Sequence, residues 1–262
     1  MARLLLKEIA GMAEYRMITE PDTEIEEKVA QKLNKITEQI AAGVPLQYAL
    51  GYTEFYGRKF IVNPSVLIPR PETEELADTI LRECKARGRK TVNILDICSG
   101  SGCITHTLQQ ELPNSTLYGC DISTDTLSTA ASQPYRPTPH FFKCDILSKN
   151  AGEIIRNECE EFEIIVSNPP YVCEREKKLM RPNVLEHEPH LALFVPDDNP
   201  LLFYHSITEI AYNLLHTGGT LYFEINEAFS AQIYNLLTDS GFNNCKIIED
   251  LNGKPRIAKG DK

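Results

Sequence analysis

VNILDICSGSGCITHTLQQEL, residues 92–112, passes from an apolar run through a serine–glycine loop into a segment of helical spacing. Residues 92–97 read as a buried strand and residues 103–112 as the helix that follows it. A strand that turns through glycines into a helix opens a βα unit, and the alternation continues outward from it. STLYGCDI (115–122), HFFKCDI (140–146), FEIIVSN (162–168) and GTLYFEI (219–225) read as strands. STDTLSTAASQ (123–133), LLFYHSITEIAYNLL (201–215) and EAFSAQIYNLLTDSG (227–241) read as helices, the last closed by Gly241. KIIEDLNGKPRIAKG (246–260) reads as a hairpin across Asn252-Gly253. The pattern predicts an open α/β sheet.

Upstream the periodicity is helical throughout. Thr23 and Glu26 have capping-box spacing, and Ile25, Val29, Leu33, Ile36 and Ile40 form one stripe. Gly43 and Pro45 supply a stop. Leu4, Leu5, Ile9 and Met12 predict an earlier amphipathic helix. Two helices over so few residues make a thin bundle, expected to pack on a partner or on the rest of the chain. YTEFYGRKFIVNPSVLIP, residues 52–69, mixes aromatic and β-branched residues around Gly57 and predicts a linking hairpin.

The chain has 262 residues and a formal charge of −10, from 27 basic and 37 acidic side chains. That balance disfavours non-specific grip on nucleic acid, which needs a surplus of Lys and Arg. No apolar run is long enough to span a bilayer, and the start, MARLLLKEIAGMAEY, makes a poor signal peptide. Eight cysteines contain no CxxC pair, which predicts small buried thiols in a reducing cytoplasm. His187 and His190 flank Pro189 with no cysteine nearby and read as loop residues; no metal site is expected.

The loop Asp96-Ile97-Cys98-Ser99-Gly100-Ser101-Gly102 lies where open sheets bind ligands, outside the carboxyl ends of the strands. A dinucleotide loop ideally carries a third glycine or alanine, but Thr105 stands there. An aspartate four residues before the first glycine suits a ligand with a cationic amino acid portion and no pyrophosphate. S-adenosylmethionine is such a ligand. Asp121 ends the second strand, placed to take both ribose hydroxyls, and Asp145 ends the third, placed to accept from an exocyclic amine. Any one of these aspartates alone is more simply a cap or turn residue. Three at successive strand ends beside a glycine loop favour a site.

Ser167-Asn168-Pro169-Pro170-Tyr171 follows an apolar strand and is the most specific feature of the chain. As bare structure it is a rigid strand-ending turn. Chemically, Pro169 holds Asn168 extended, and neither proline has an N–H, so the turn offers carbonyl acceptors without competing donors. The Asn168 side chain adds another acceptor and Tyr171 a flat wall. That arrangement fits a planar –NH₂ group and promotes its alkylation by positioning and pre-set dipoles, without a strong base.

In these residues the chain resembles the HemK/PrmC family of protein-(glutamine-N5) methyltransferases. Pro45-Leu46-Gln47-Tyr48-Ala49-Leu50-Gly51, Val66 to Glu74 (VLIPRPETE), the Asn168 to Tyr171 turn, Glu188-Pro189 with Ala192-Leu193, and Gly218-Gly219 with Glu224 carry the resemblance. It implies a Rossmann-like, seven-stranded class I S-adenosylmethionine-dependent methyltransferase at 70–262. Before it come a helical substrate-recognition domain at 1–51 and a hairpin linker at 52–69. Family members carry about one more helix at the start, so the resemblance implies either that Met1 is not the native start or that the helical domain is reduced. The implied reaction transfers a methyl group from S-adenosylmethionine to the glutamine of the Gly-Gly-Gln loop in class I peptide chain release factors, yielding S-adenosylhomocysteine. By position, Asn168, Pro169, Pro170 and Tyr171 hold the glutamine, and Arg70, Glu72 and Thr73 border its pocket. Asp96, Cys98, Ser99, Gly100, Ser101, Gly102, Asp121 and Asp145, with Asn168, face the donor. Cys98 reads as a packing residue, with no histidine adjacent to activate it.

The alternative within enzymes is an adenine-N6 nucleic-acid methyltransferase, which would place a flipped base in the same turn. The acidic balance and the lack of Lys/Arg clusters weigh against it. A dinucleotide oxidoreductase and a non-catalytic binding module account less well for the Asn-Pro-Pro-Tyr turn.

Overall fold

Ile94, Leu95 and Ile97 have no exposed surface. A strand apolar on both faces must lie inside a sheet covered on both sides. The computed structural model describes residues 1–262 and places that strand near the middle of seven. In chain order the elements are α1 (Ala2–Ala10), α2 (Arg16–Thr19), α3 (Glu27–Ala41), α4 (Leu46–Leu50), β1 (Tyr52–Phe55), β2 (Arg58–Ile61) and α5 (Pro71–Ala86). There follow β3 (Asn93–Ile97), α6 (Cys103–Glu111), β4 (Thr116–Asp121), α7 (Thr124–Ala131), β5 (His140–Lys143), α8 (Ala151–Glu158) and β6 (Phe162–Ser167). The chain closes with β7 (Val172–Cys173), α9 (Pro182–His187), β8 (Phe194–Val195), α10 (Leu202–Leu214), β9 (Leu215–Glu224), α11 (Ser230–Asp239), β10 (Asn243–Glu249) and β11 (Pro255–Asp261).

The large sheet runs β10-β11-β9-β6-β3-β4-β5. Its five strands from β9 to β5 are parallel, and β11 and β10 add an antiparallel edge. From β3 the chain steps outward to β4 and β5, then crosses back to β6 and β9 on the other side. The loops after β3 and β6 therefore diverge at the switch point, where open sheets form their binding crevice. One core lies on each sheet face: Leu95, Ile165, Tyr204 and Phe223 belong to one, and Leu76, Ile94, Leu108 and Tyr222 to the other.

Every strand and helix read from the sequence forms, and α2, α4, α5, α8, α9, β7 and β8 are present besides, unread in the sequence. Strand β5 stops at Lys143, so Cys144 and Asp145 lie on the loop beyond it. Strand β9 begins at Leu215, earlier than expected: Leu215 pairs with Phe162, the register then shifts across Gly218 (φ 84°), and Thr220 rejoins β6 at Ile164. The expected capping box is absent: α3 starts at Glu27 with Glu26 at its cap and no side-chain cap bond, and the Thr23 hydroxyl donates to the Glu20 carbonyl instead. Proline after Gly43 ends one helix and also starts another, α4, in which Pro45 stands at the cap. The PETEELADTILRECKA stretch forms α5, with Pro71 in its first turn and Glu72 and Glu74 beside its dipole.

Within the first fifty residues, Leu5 and Ile36 are the buried side chains of α1 and α3. This unit is tied to the hairpin by Glu8, which accepts from Lys59 at 2.9 Å and from the Tyr52 hydroxyl. Tyr48 donates to the Val66 carbonyl at 2.6 Å.

Candidate active site

The glycine loop is bent by three residues in the left-handed region, Cys98 (φ 61°), Gly100 (φ 54°) and Gly102 (φ 74°). At Gly102 a Cβ would crowd the Phe141 ring at 3.0 Å and Ala130 at 3.2 Å, and φ 74° strains any other residue, so this cap of α6 favours glycine. The Gly100 N–H donates to Asp121 Oδ2 at 3.2 Å, and the Ser123 N–H donates to Asp121 Oδ1 at 3.0 Å. Burial raises the Asp121 pKa, and backbone N–H donors of Ser123, Gly100 and Ile122 oppose that rise. The carboxylate thus clamps the loop and keeps lone pairs for a guest.

Asp96 is 1% exposed. The Thr105 hydroxyl donates to its Oδ2 at 2.5 Å, which explains a threonine where a dinucleotide loop would prefer glycine. Its Oδ1 is buried without a partner, as is the Ser99 hydroxyl. Burial pushes the Asp96 carboxyl up to about 7, with Thr105 opposing and the Asp121 charge adding to the rise. Asp96 does not border the main cavity; it stands behind the loop.

That cavity, about 420 Å³, opens between the loops after β3, β4, β5 and β6. Cys98, Ser99, Gly100, Ser101, Asp121, Asp145, Asn168 and Pro170 line it, together with Arg70 and Thr73. Asp145 spends one oxygen on the Leu147 N–H at 3.0 Å. A second cavity of about 350 Å³ adjoins the first, and Leu67, Arg70, Asn168 and Ala192 border both. Pro169, Tyr171, Met180, Arg181 and Glu224 line only the second. Asn168 therefore stands in the wall between the two spaces. Gly102 shapes the loop without facing the cavity, and Glu72 borders neither space.

The turn at Asn168 is anchored from both sides. Ser167 donates to the Ile97 carbonyl at 2.6 Å, which ties the end of β6 to the end of β3. Asn168 Nδ2 donates to Thr73 Oγ1 at 3.3 Å, Thr73 Oγ1 to Glu224 Oε2 at 2.7 Å, and the Tyr171 hydroxyl to Glu224 Oε1 at 3.0 Å. Tyr171 is thus both wall and donor. Arg70 pairs with Glu188 at 2.6 Å, and the Ile68 N–H donates to the other Glu188 oxygen at 3.2 Å. The sequence pointed to Glu224 and Glu188 only through the resemblance. A glutamate ending the apolar run LYFE was the available signal that it must face a polar partner.

The raised Asp96 pKa has a stability consequence. An unfolded aspartate titrates near 3.8 and the folded one near 7. The native state holds the proton more tightly, so this group's contribution is full below pH 3.8 and is lost as pH rises through about 7. Urea unfolding between pH 5 and 8 is expected to show wild type losing stability relative to Asp96→Asn as pH rises. Parallel curves for the two proteins would contradict the shift.

Residues 1–51 match the PrmC N-terminal domain and residues 73–188 the methyltransferase small domain. Over 98% of its length the chain is 40% identical to a release factor glutamine methyltransferase of Flavobacterium psychrophilum, covering 89% of that protein. It is 41% identical over 88% of its length to the protein of the same name from Bacteroides thetaiotaomicron, covering 81% of it. The fold is similar to that of a ribosomal protein L11 methylase from Lactobacillus delbrueckii subsp. bulgaricus, with a TM-score of 0.51 and 15% identity over 80% of this chain and 90% of that one.

Proposed function

The chain belongs to the release factor glutamine methyltransferase family and methylates a release factor glutamine, and from that premise we propose how its residues divide the work. The larger cavity takes S-adenosylmethionine, and the smaller one takes the side chain of the glutamine in the release factor's Gly-Gly-Gln loop. The observation that carries this reading is the place of Asn168, on the boundary of both spaces. A group there touches donor and acceptor alike.

The donor cavity suits the proposed guest. Asp121 offers acceptors where two vicinal hydroxyls would lie. The partly exposed Ile122 and Leu147 flank Asp121 and Asp145 with apolar surface for a planar base. The unpartnered Ser99 hydroxyl remains for a polar group of an amino acid portion, directly or through water. Bound S-adenosylmethionine supplies an electrophilic methyl group on a sulfonium and leaves as S-adenosylhomocysteine.

This chain's own residues do the rest. An amide nitrogen is a weak nucleophile because its lone pair is delocalised. Asn168 Oδ1 and the Pro169 carbonyl accept its two N–H groups and fix the nitrogen in line with the methyl group. The same two dipoles stabilise positive charge that grows on the nitrogen as its bond to the methyl carbon replaces the sulfur–carbon bond, and the methylated nitrogen then releases one N–H proton to water, so no strong base is needed. Tyr171, Met180 and Leu67 exclude water from the side chain's stem. Arg70, held by Glu188, and Arg181 bring positive charge to the entrance.

Incubation with S-adenosylmethionine and a class I release factor is expected to add one methyl group, located by fragment mass spectrometry on the N5 nitrogen of the Gly-Gly-Gln glutamine. DNA and tRNA are expected to remain unmodified. Methyl transfer to adenine instead of glutamine would overturn the assignment.

A further inference from the structure

The Thr73 hydroxyl has a single proton, and its 2.7 Å contact with Glu224 Oε2 consumes it. Glu224 is 1% exposed, and its other oxygen takes the Tyr171 hydroxyl at 3.0 Å. Burial raises the Glu224 pKa, and the Thr73 and Tyr171 hydroxyls oppose the rise; as a carboxylate it only accepts, so both hydroxyls point at it. Thr73 Oγ1 is left with lone pairs toward Asn168. The branch of the Asn168 amide that meets it at 3.3 Å must therefore be the –NH₂. That leaves Oδ1 as the free branch.

The orientation matters because an asparagine amide is nearly symmetric in shape, while a flip exchanges donor for acceptor. A flipped Asn168 would set –NH₂ against the –NH₂ of a glutamine. It would instead suit a carboxylate. We propose that Glu224 and Thr73 are positioning residues that set the polarity of the Asn168 amide, and so make the pocket select glutamine over glutamate. The inference rests on Asn168 being the group that holds the substrate carboxamide. Thr73 comes from the first turn of α5, Asn168 from the loop after β6, and Glu224 from the end of β9. Three separate elements thus converge on one rotamer. The fixed direction of the protons opposes a carboxylate there even though Arg70 and Arg181 bring positive charge to the same cavity.

The test uses the intact enzyme with full-length release factor, and the same factor carrying glutamate at the acceptor position as a competitor. Thr73→Val removes the hydroxyl at constant shape, and Thr73→Ser restores it. Thr73→Val is expected to lower kcat/KM about tenfold, the scale of one lost orienting hydrogen bond, with donor affinity within about threefold. Thr73→Ser is expected to recover to within about threefold of wild type. The glutamate competitor is expected to gain on the glutamine substrate in Thr73→Val, an effect that mere loosening of the fold would not produce. Glu224→Gln, which can donate to Thr73 and reverse the chain, carries the same expectations and serves if Thr73→Val no longer binds the donor. Wild-type kcat/KM in both variants, no rescue by serine, or an unchanged preference against glutamate would overturn the proposal. Full turnover by Asn168→Ala would instead overturn the assignment beneath it. An inactive Asn168→Ala beside wild-type Thr73→Val and Glu224→Gln would remove the polarity chain alone.

Discussion

Asn168→Ala is expected to cut methyl transfer about 10³-fold, the upper range for removal of one pre-organised dipole at a reacting centre. Donor affinity is expected to stay within about threefold, since the loss falls on the nitrogen being alkylated and the donor keeps its other contacts. The reason is geometric. Asn168 borders both cavities, and its free Oδ1 is the only side-chain acceptor of the turn that reaches both. Alanine leaves one backbone carbonyl to hold a group with two N–H donors, so the nitrogen rotates out of line. Single-turnover kinetics with saturating donor, alongside calorimetric titration of the donor, separates the two effects. Turnover comparable to wild type would remove Asn168 from the reaction.

Asp121→Ala is expected to act on the other side, weakening donor binding by about 1–3 kcal/mol, the scale of a lost charge-assisted hydrogen bond, or roughly ten- to a hundredfold. Two losses combine here. The acceptors for the donor's hydroxyls disappear, and the Gly100 and Ser123 N–H groups lose the carboxylate that clamps the loop. Asp121→Asn keeps the shape but brings a donor toward those same N–H groups, so it is expected to fall between wild type and alanine. Calorimetry reads all three directly. Wild-type affinity in Asp121→Ala would move the ribose contact elsewhere.

Both arguments draw on residues that the sequence already marked, and the reason is local. The glycine loop and the Asn-Pro-Pro-Tyr turn are each contiguous, and their chemistry follows from missing side chains, missing N–H groups and restricted φ, which are properties of neighbours in the chain. Most strand ends were legible because apolar runs stop there, but β5 stops at Lys143, short of the apolar run's end. Helix starts were less so: Thr23 turned to the Glu20 carbonyl, and Pro45, read as a stop, caps a new helix. In both places a short polar or cyclic residue has two compatible local roles, and packing chooses between them.

Sequence alone determined the alternation that builds the sheet, the two loops at its carboxyl edge, and the chemistry that each loop can offer. It did not determine what those loops lean on. Asn168 meets Thr73 across 95 residues of chain, and Thr73 meets Glu224 across 151. These contacts exist because β9 lies beside β6 and β6 beside β3, an order that follows from how the crossovers wind. Backbone conformation is encoded over a few residues, but the direction of a proton between two buried side chains depends on strand order. Only the folded molecule could decide which way the Asn168 amide faces.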